Sequence, residues 1–443
     1  MQIAQEVAVA ARLRPWRRLL ACWVLFGLVV VGCRTAAPLA TVTRPAVTVS
    51  APTRPAQDVA AGATAGSSPT PAVRPGQTAA GGAPPGDLPA VIAALPEALR
   101  EQAGDAEALY ARLRAWRVLE PEGNPWREAD LDGDGQPEIL LLLAPPDTGN
   151  PITDPRYARA LVVLRRSASG YAVGGSRLFQ PAFALAVPLV HDLTGDGRPE
   201  AVVTFQQCGA HTCFLYVTVL ALEGGELRDL VAEPVTMSSA ELKIDDRDGD
   251  GRWEIALHGG SIGSVGAGPV QTRTDVYAWD GQTFKLAATV YDPSPVRLHV
   301  LFDGDRALRR GDLRAARRAY QRVATDPELA DDGFQPPAEV RRTLQAFACY
   351  RLVTVEAALG ERQAASEWLQ VLQERFADHP CRSLAEAFWA AWEPKGDLSA
   401  ACAAATAYAG RHPAVLESFG YYGYGNPTYK VEDLCFLGTA VAD

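Results

Sequence analysis

Lysine is almost missing from this chain of 443 residues: Lys243, Lys285, Lys395 and Lys430 are all of it, while arginine is abundant. We read that imbalance as codon or lineage bias. Net charge is −10, and no run of basic residues with aromatics between them occurs, which argues against nucleic acid as a partner. The six histidines (His191, His211, His258, His299, His379 and His412) are scattered, with no His-Glu-x-x-His pair and no Gly-x-Ser-x-Gly elbow. No spare carboxylate pair stands out as acid and base. The expectation is a non-enzymatic protein, with a hydrolase of cell-surface polymer as the enzymatic alternative. The glycines from Gly259 to Gly268 precede no helix and no lysine, so they read as a flexible loop rather than a phosphate cradle.

A long apolar run is also lacking. Leu19 to Val31, behind Arg12, Arg14, Arg17 and Arg18, is about thirteen residues: short for a membrane span, right for a signal h-region. It ends in Val30-Val31-Gly32-Cys33, which resembles the lipobox of bacterial lipoproteins. The resemblance implies removal of residues 1–32, lipidation of Cys33, attachment to the membrane through that lipid and a chain facing outside the cytoplasm. An uncleaved anchor helix is the alternative, with the same placement. Residues 33–87 are nearly all Ala, Thr, Pro, Gly and Ser and bury too little apolar surface to fold. They read as a disordered tether, with an end-to-end distance on the order of 40 Å.

Setting aside Cys22 and Cys33, six cysteines remain, an even number that suits disulfides in an exported chain. Cys208-Gly-Ala-His-Thr-Cys213 has the spacing of a bridge closing a hairpin tip, with zinc as the rival. Among Cys349, Cys381, Cys402 and Cys435 three pairings are open. Cys349–Cys381 with Cys402–Cys435 is our guess.

What the chain has, three times, is an acidic loop running straight into a strand: Asp130-Leu-Asp-Gly-Asp-Gly-Gln-Pro-Glu138, Asp192-Leu-Thr-Gly-Asp-Gly-Arg-Pro-Glu200 and Asp246-Arg-Asp-Gly-Asp-Gly-Arg-Trp-Glu254. Carboxylates at positions one, three, five and nine around a tight turn suit a hard cation that takes six to eight oxygens, and calcium fits best. Polar hairpin turns are the plain alternative. Strand-like runs follow at Glu138–Leu143, Glu200–Phe205 and Glu254–Leu257, and helical spacing precedes them at 88–102 and 106–118.

The loop-plus-strand pattern resembles FG-GAP and VCBS-type repeats of β-propeller proteins. That resemblance implies structural calcium held by Asp130, Asp132, Asp134 and Glu138 with the Gln136 carbonyl, and by Asp246, Asp248, Asp250 and Glu254 with the Arg252 carbonyl. The second copy keeps Asp192, Asp196 and Glu200 but has Thr194 at position three, so its site should be weaker. Three copies fall short of the four to eight blades of a closed propeller. Residues 88–295 therefore read as a partial, propeller-like repeat or an antiparallel meander with helices over its open edge.

From 296 to 443 the pattern turns helical. Gly311-Asp-Leu-Arg-Ala-Ala316, Gly360-Glu-Arg-Gln-Ala-Ala365 and Gly396-Asp-Leu-Ser-Ala-Ala401 each enter an amphipathic helix, and they resemble tetratricopeptide repeats with an insertion near Asp331–Gln335. A plain helical bundle is the alternative. The tyrosine-rich segment Phe419–Tyr429 reads as an end cap. The fold class expected is thus a multidomain α and β chain, a β-repeat domain followed by a TPR-like helical domain. The resemblance implies an adaptor for an unidentified exported or envelope protein, with an adhesin or carbohydrate-binding role as the alternative.

Overall fold

The computed structural model describes residues 47–49, 85–145 and 157–435. Cys33, the signal segment and most of the expected tether lie outside them. Among the described residues no helix is long and apolar enough to cross a membrane.

Two helices come first, α1 (Leu88–Glu101) and α2 (Ala106–Ala115). Asp87 and Asp105 start them by accepting the backbone N–H groups of Ala90 and of Glu107 and Ala108, caps worth about 1 kcal/mol each. Three open antiparallel sheets follow. The first is the meander β2 (Trp126–Ala129), β3 (Glu138–Leu143), β4 (Arg159–Ser167) and β5 (Gly170–Phe179). The second contains β6 (Phe183–His191), β7 (Glu200–Cys208), β8 (Cys213–Glu223), β9 (Glu226–Asp229) and β10 (Val235–Ser238), the last two pairing in turn along β8. The third is β11 (Glu241–Asp245), β12 (Glu254–Gly259), β13 (Arg273–Trp279) and β14 (Phe284–Tyr291), with β1 (Val47–Val49) beside β11 in parallel. Among the described residues they close into no propeller.

The sheets stack because their second strands are apolar on both sides. All six residues of β3 are buried: Ile139, Leu141 and Leu143 face α1 and α2, while Leu140 and Leu142 face the second sheet. In β7, Ala201 and Val203 face back to the first sheet and Val202 faces the third. Such strands read as continuous hydrophobic runs. β12 breaks the run: Ile255 and Leu257 face the second sheet, but the intervening Ala256 and exposed His258 do not, so the stack ends there.

In each sheet an acidic loop joins the first strand to the second, so antiparallel pairing sends all three loops to one end. The hairpin tip 209–212 and the glycine-rich loop 260–272 emerge at the opposite end, where the helical half is joined.

That half is three helical hairpins: α3 (Arg297–Arg309) with α4 (Leu313–Thr325), α5 (Pro337–Ala358) with α6 (Arg362–Arg375), and α7 (Pro380–Trp392) with α8 (Leu398–Arg411), before the single turn α9 (Ala414–Glu417). Gly311, Gly360 and Gly396 turn each hairpin at φ of 76°, 80° and 71°, the left-handed region that a side chain resists. Ala316, Ala365 and Ala401 are fully buried in the second helices. Arg297, also fully buried, holds the incoming chain: its Nε donates to Asp331 at 2.6 Å and its terminal nitrogens donate to the Val323 and Asp326 carbonyls.

Cys208 and Cys213 lie at disulfide distance, S–S 2.05 Å, as do Cys402 and Cys435, 2.04 Å. The expected Cys349–Cys381 bridge is corrected: both are buried free thiols. They sit inside α5 and α7, packed in the apolar core of the helical half, where a thiol needs no partner. Burial pushes the Cys349 thiol up to about 12 and Cys381 higher still, so they behave as small apolar groups.

α7 starts on His379, whose Nδ1 accepts the Cys381 N–H at 3.2 Å and so must be neutral. Burial, and then Arg342, lower its pKa to about 4. The unfolded chain binds this proton from about pH 6.5 downward, so the cap's contribution is complete above that pH. It is lost as pH falls toward 4, at about 1.4 kcal/mol per pH unit. His379→Asn keeps an acceptor at the cap. We expect its urea midpoint to fall less than the wild type's between pH 7 and pH 5; equal slopes would remove the assignment.

Candidate metal centres at the acidic end

The three loops fold alike because the same bonds recur. The carboxylate at position one accepts the N–H groups of both glycines: Asp130 from Gly133 and Gly135 at 2.8 and 2.9 Å, Asp192 from Gly195 and Gly197 at 2.7 and 2.8 Å, Asp246 from Gly249 and Gly251 at 2.7 and 3.1 Å. All six glycines have positive φ, between 75° and 88°. The carboxylate at position five accepts the N–H two residues on: Asp134 from Gln136, Asp196 from Arg198, Asp250 from Arg252. The turn is therefore written twice over, in carboxylates that accept and glycines that can bend.

The glutamate at position nine is a clasp. Glu138, Glu200 and Glu254 are buried at the start of β3, β7 and β12, and each accepts the position-two N–H at 2.8 Å: Leu131, Leu193 and Arg247. Burial raises all three pKa values, the backbone bond opposes it, and the loop aspartates add to the rise. Glu200 goes furthest, to about 7.

Three acidic clusters could hold a metal ion, each with one ligand atom per residue within 4.8 Å of the others: Asp130, Asp132 and Glu138; Asp192, Asp196 and Glu200; Asp246, Asp248 and Asp250. Asp134 and Glu254, expected as ligands, fall outside these triplets. Gln136 and Arg252 are tied in through their N–H groups. Thr194 is buried, and its hydroxyl and N–H both lie 3.3 Å from the Glu200 carboxylate. The threonine thus joins the clasp of the second loop.

Neighbouring loops also touch. Arg198 lies over Gly133 of the first loop and Arg252 over Gly195 of the second. Trp253 donates its N–H to the Leu193 carbonyl at 3.0 Å and packs its indole on His191, centroids 4.1 Å apart. Arg165, in β4, pairs with Asp132 at 2.9 Å. Nothing in the linear spacing pointed to that residue. A cleft of about 300 Å³ opens beside the second loop, with Asp196, Arg198, Glu223, Arg228 and Trp279 on its walls.

No family model matches the chain, and no curated protein matches it.

Because nothing lies within 4 Å of a side chain added at Gly135 or Gly251, substitution there tests backbone strain alone. Gly135→Ala and Gly251→Ala should each lower unfolding free energy by about 1–2 kcal/mol in metal-free buffer. An unchanged denaturation midpoint would show that the left-handed turns do not hold the loops.

Proposed function

We propose that the chain is a non-enzymatic adaptor, exported and anchored by lipid at Cys33, with β units braced by calcium and helical hairpins that hold a protein partner. The observation that carries the reading is the tandem array of helical hairpins, joined to the sheets at the end opposite the acidic loops. Bracing and binding then occupy different ends. The all-oxygen donor sets favour a hard cation, and clustered carboxylates repel one another without one. The FG-GAP/VCBS-like and tetratricopeptide-like patterns support the same division. The glutamates whose pKa values are raised by burial serve as clasps, which suits bracing rather than proton transfer.

A carbohydrate-binding reading draws on exposed rings near the junction, where Phe334 and Tyr421 stack with centroids 5.7 Å apart and Tyr424 is 61% exposed. Binding to isolated cell-wall glycan, against capture of one exported protein by the lipid-free chain, separates the two.

For the calcium part, extracellular modules bind at about 10⁻⁴–10⁻³ M. A few millimolar calcium should then add about 1.4 kcal/mol per site and raise the melting temperature. Asp132→Ala with Asp248→Ala should remove most of that rise. A melt indifferent to calcium would end the proposal.

A further inference from the structure

The chain after Pro413 does more than cap the last hairpin. From Phe419 to Cys435 it runs back across α3 and α5, the first helices of the first two hairpins, and ends on α8. The Tyr429 hydroxyl donates to buried Asp305 at 2.6 Å, beside the Tyr320 hydroxyl at 2.5 Å, and its ring lies 4.9 Å from Phe347. Leu434 is fully buried. Arg351, also fully buried, donates to two consecutive main-chain carbonyls, Asp433 and Leu434, at 2.7 Å each, and Tyr350 donates to the second at 2.9 Å. Arg309 pairs with the Asp433 carboxylate, and Cys435 is bonded to Cys402.

These contacts are those of peptide capture. Arg351 is paired through Nε with Asp305 at 3.1 Å, and its terminal nitrogens, turned to main-chain oxygens, recognise backbone whatever its sequence. A closed apolar site takes one aliphatic side chain, and a carboxylate at the base of an aromatic pocket takes a tyrosine five residues earlier. We infer that the face of α3 and α5 is a peptide site, filled in cis by residues 427–435, of which Val431–Leu434 form a single 3-10 turn. The helical half's partner is then a peptide segment that makes the same turn, with an aromatic residue five positions before a buried aliphatic one. It enters as the tail leaves. This rests on the adaptor reading of the helical half. The Cys402–Cys435 bond decides the competition, because a tethered tail has an effective concentration that a free peptide does not reach. A dithiol reductant opens it: two electrons and two protons pass to the cysteines, the dithiol becomes a disulfide, and only non-covalent contacts hold the tail.

The probe is a fluorescein-labelled peptide of residues 427–435 carrying Cys435→Ser, followed by anisotropy. It is titrated into the intact oxidised chain and into a chain with Cys402→Ser, Cys435→Ser and Leu434→Ala, which weaken its own tail. Saturable binding is expected to the second chain and about tenfold weaker binding, or none, to the first. A peptide with Tyr429→Ala should lose about tenfold on the second chain. No saturable binding to the weakened-tail chain overturns the inference. That holds equally if its helical circular dichroism collapses, since a tail the helices cannot fold without is core and not ligand. Capture of an exported protein by the intact chain without peptide binding leaves the adaptor reading standing and removes this one. Peptide binding without such capture supports this site and removes the adaptor partner.

Discussion

A buried carboxylate that accepts a backbone N–H seven residues upstream sets the form of the β half. Taking such a group from water is costly unless it is bonded, so Glu138, Glu200 and Glu254 can start their strands only if the loop returns to the same place each time. That return fixes where each second strand begins, and with it which residues of that strand face forward and which face back. The stacking of three sheets follows from the clasp as much as from the apolar runs behind it. The helical half obeys the same rule with opposite charge: Arg297 and Arg351 are buried where a carboxylate, Asp331 or Asp305, and main-chain carbonyls meet them together.

A polarity along the strands results. One end collects carboxylates, arginines stacked over glycines, and tight turns, all closely stitched from loop to loop. The other end collects glycine-rich and tyrosine-rich backbone that joins the sheets to the helices. Tyr424 and Gly425 donate their N–H groups to the Gly266 and Ala267 carbonyls at 3.1 Å, and the Asn426 side chain also donates to Ala267. His299 bonds the Pro269 carbonyl, and Arg306 bonds Gln271. The junction is therefore mostly hydrogen-bonded backbone, with little apolar packing.

Much of this was legible in sequence where a local rule carried it. Asp-Gly-Asp-Gly dictates a left-handed turn whatever surrounds it, and Gly311, Gly360 and Gly396 end helices for the same steric reason. The buried alanines at 316, 365 and 401 followed from their fixed offset to those glycines. What could not be read were pairings between distant segments. Arg165 on Asp132, the tail across α3 and α5, and the meeting of the glycine-rich loop with the tyrosine segment have no fixed spacing, so only the folded chain brings them together. Thr194 shows the same limit: the sequence marks a carboxylate missing at position three, and only the fold brings its hydroxyl within reach of Glu200. The Cys349–Cys381 guess failed because parity counts cysteines without showing which of them the fold keeps as buried free thiols.

The tail that closes the junction is made after the segments it fastens. The sheets, and even the three hairpins, can form their internal contacts as they emerge, but the bonds from Tyr424, Gly425 and Asn426 to the 266–267 backbone must wait for residues synthesised after those elements. This part of the junction therefore closes only after both halves have been made. A chain interrupted before Tyr424 would hold its two halves by the remaining bonds alone, such as His299 to Pro269 and Arg306 to Gln271.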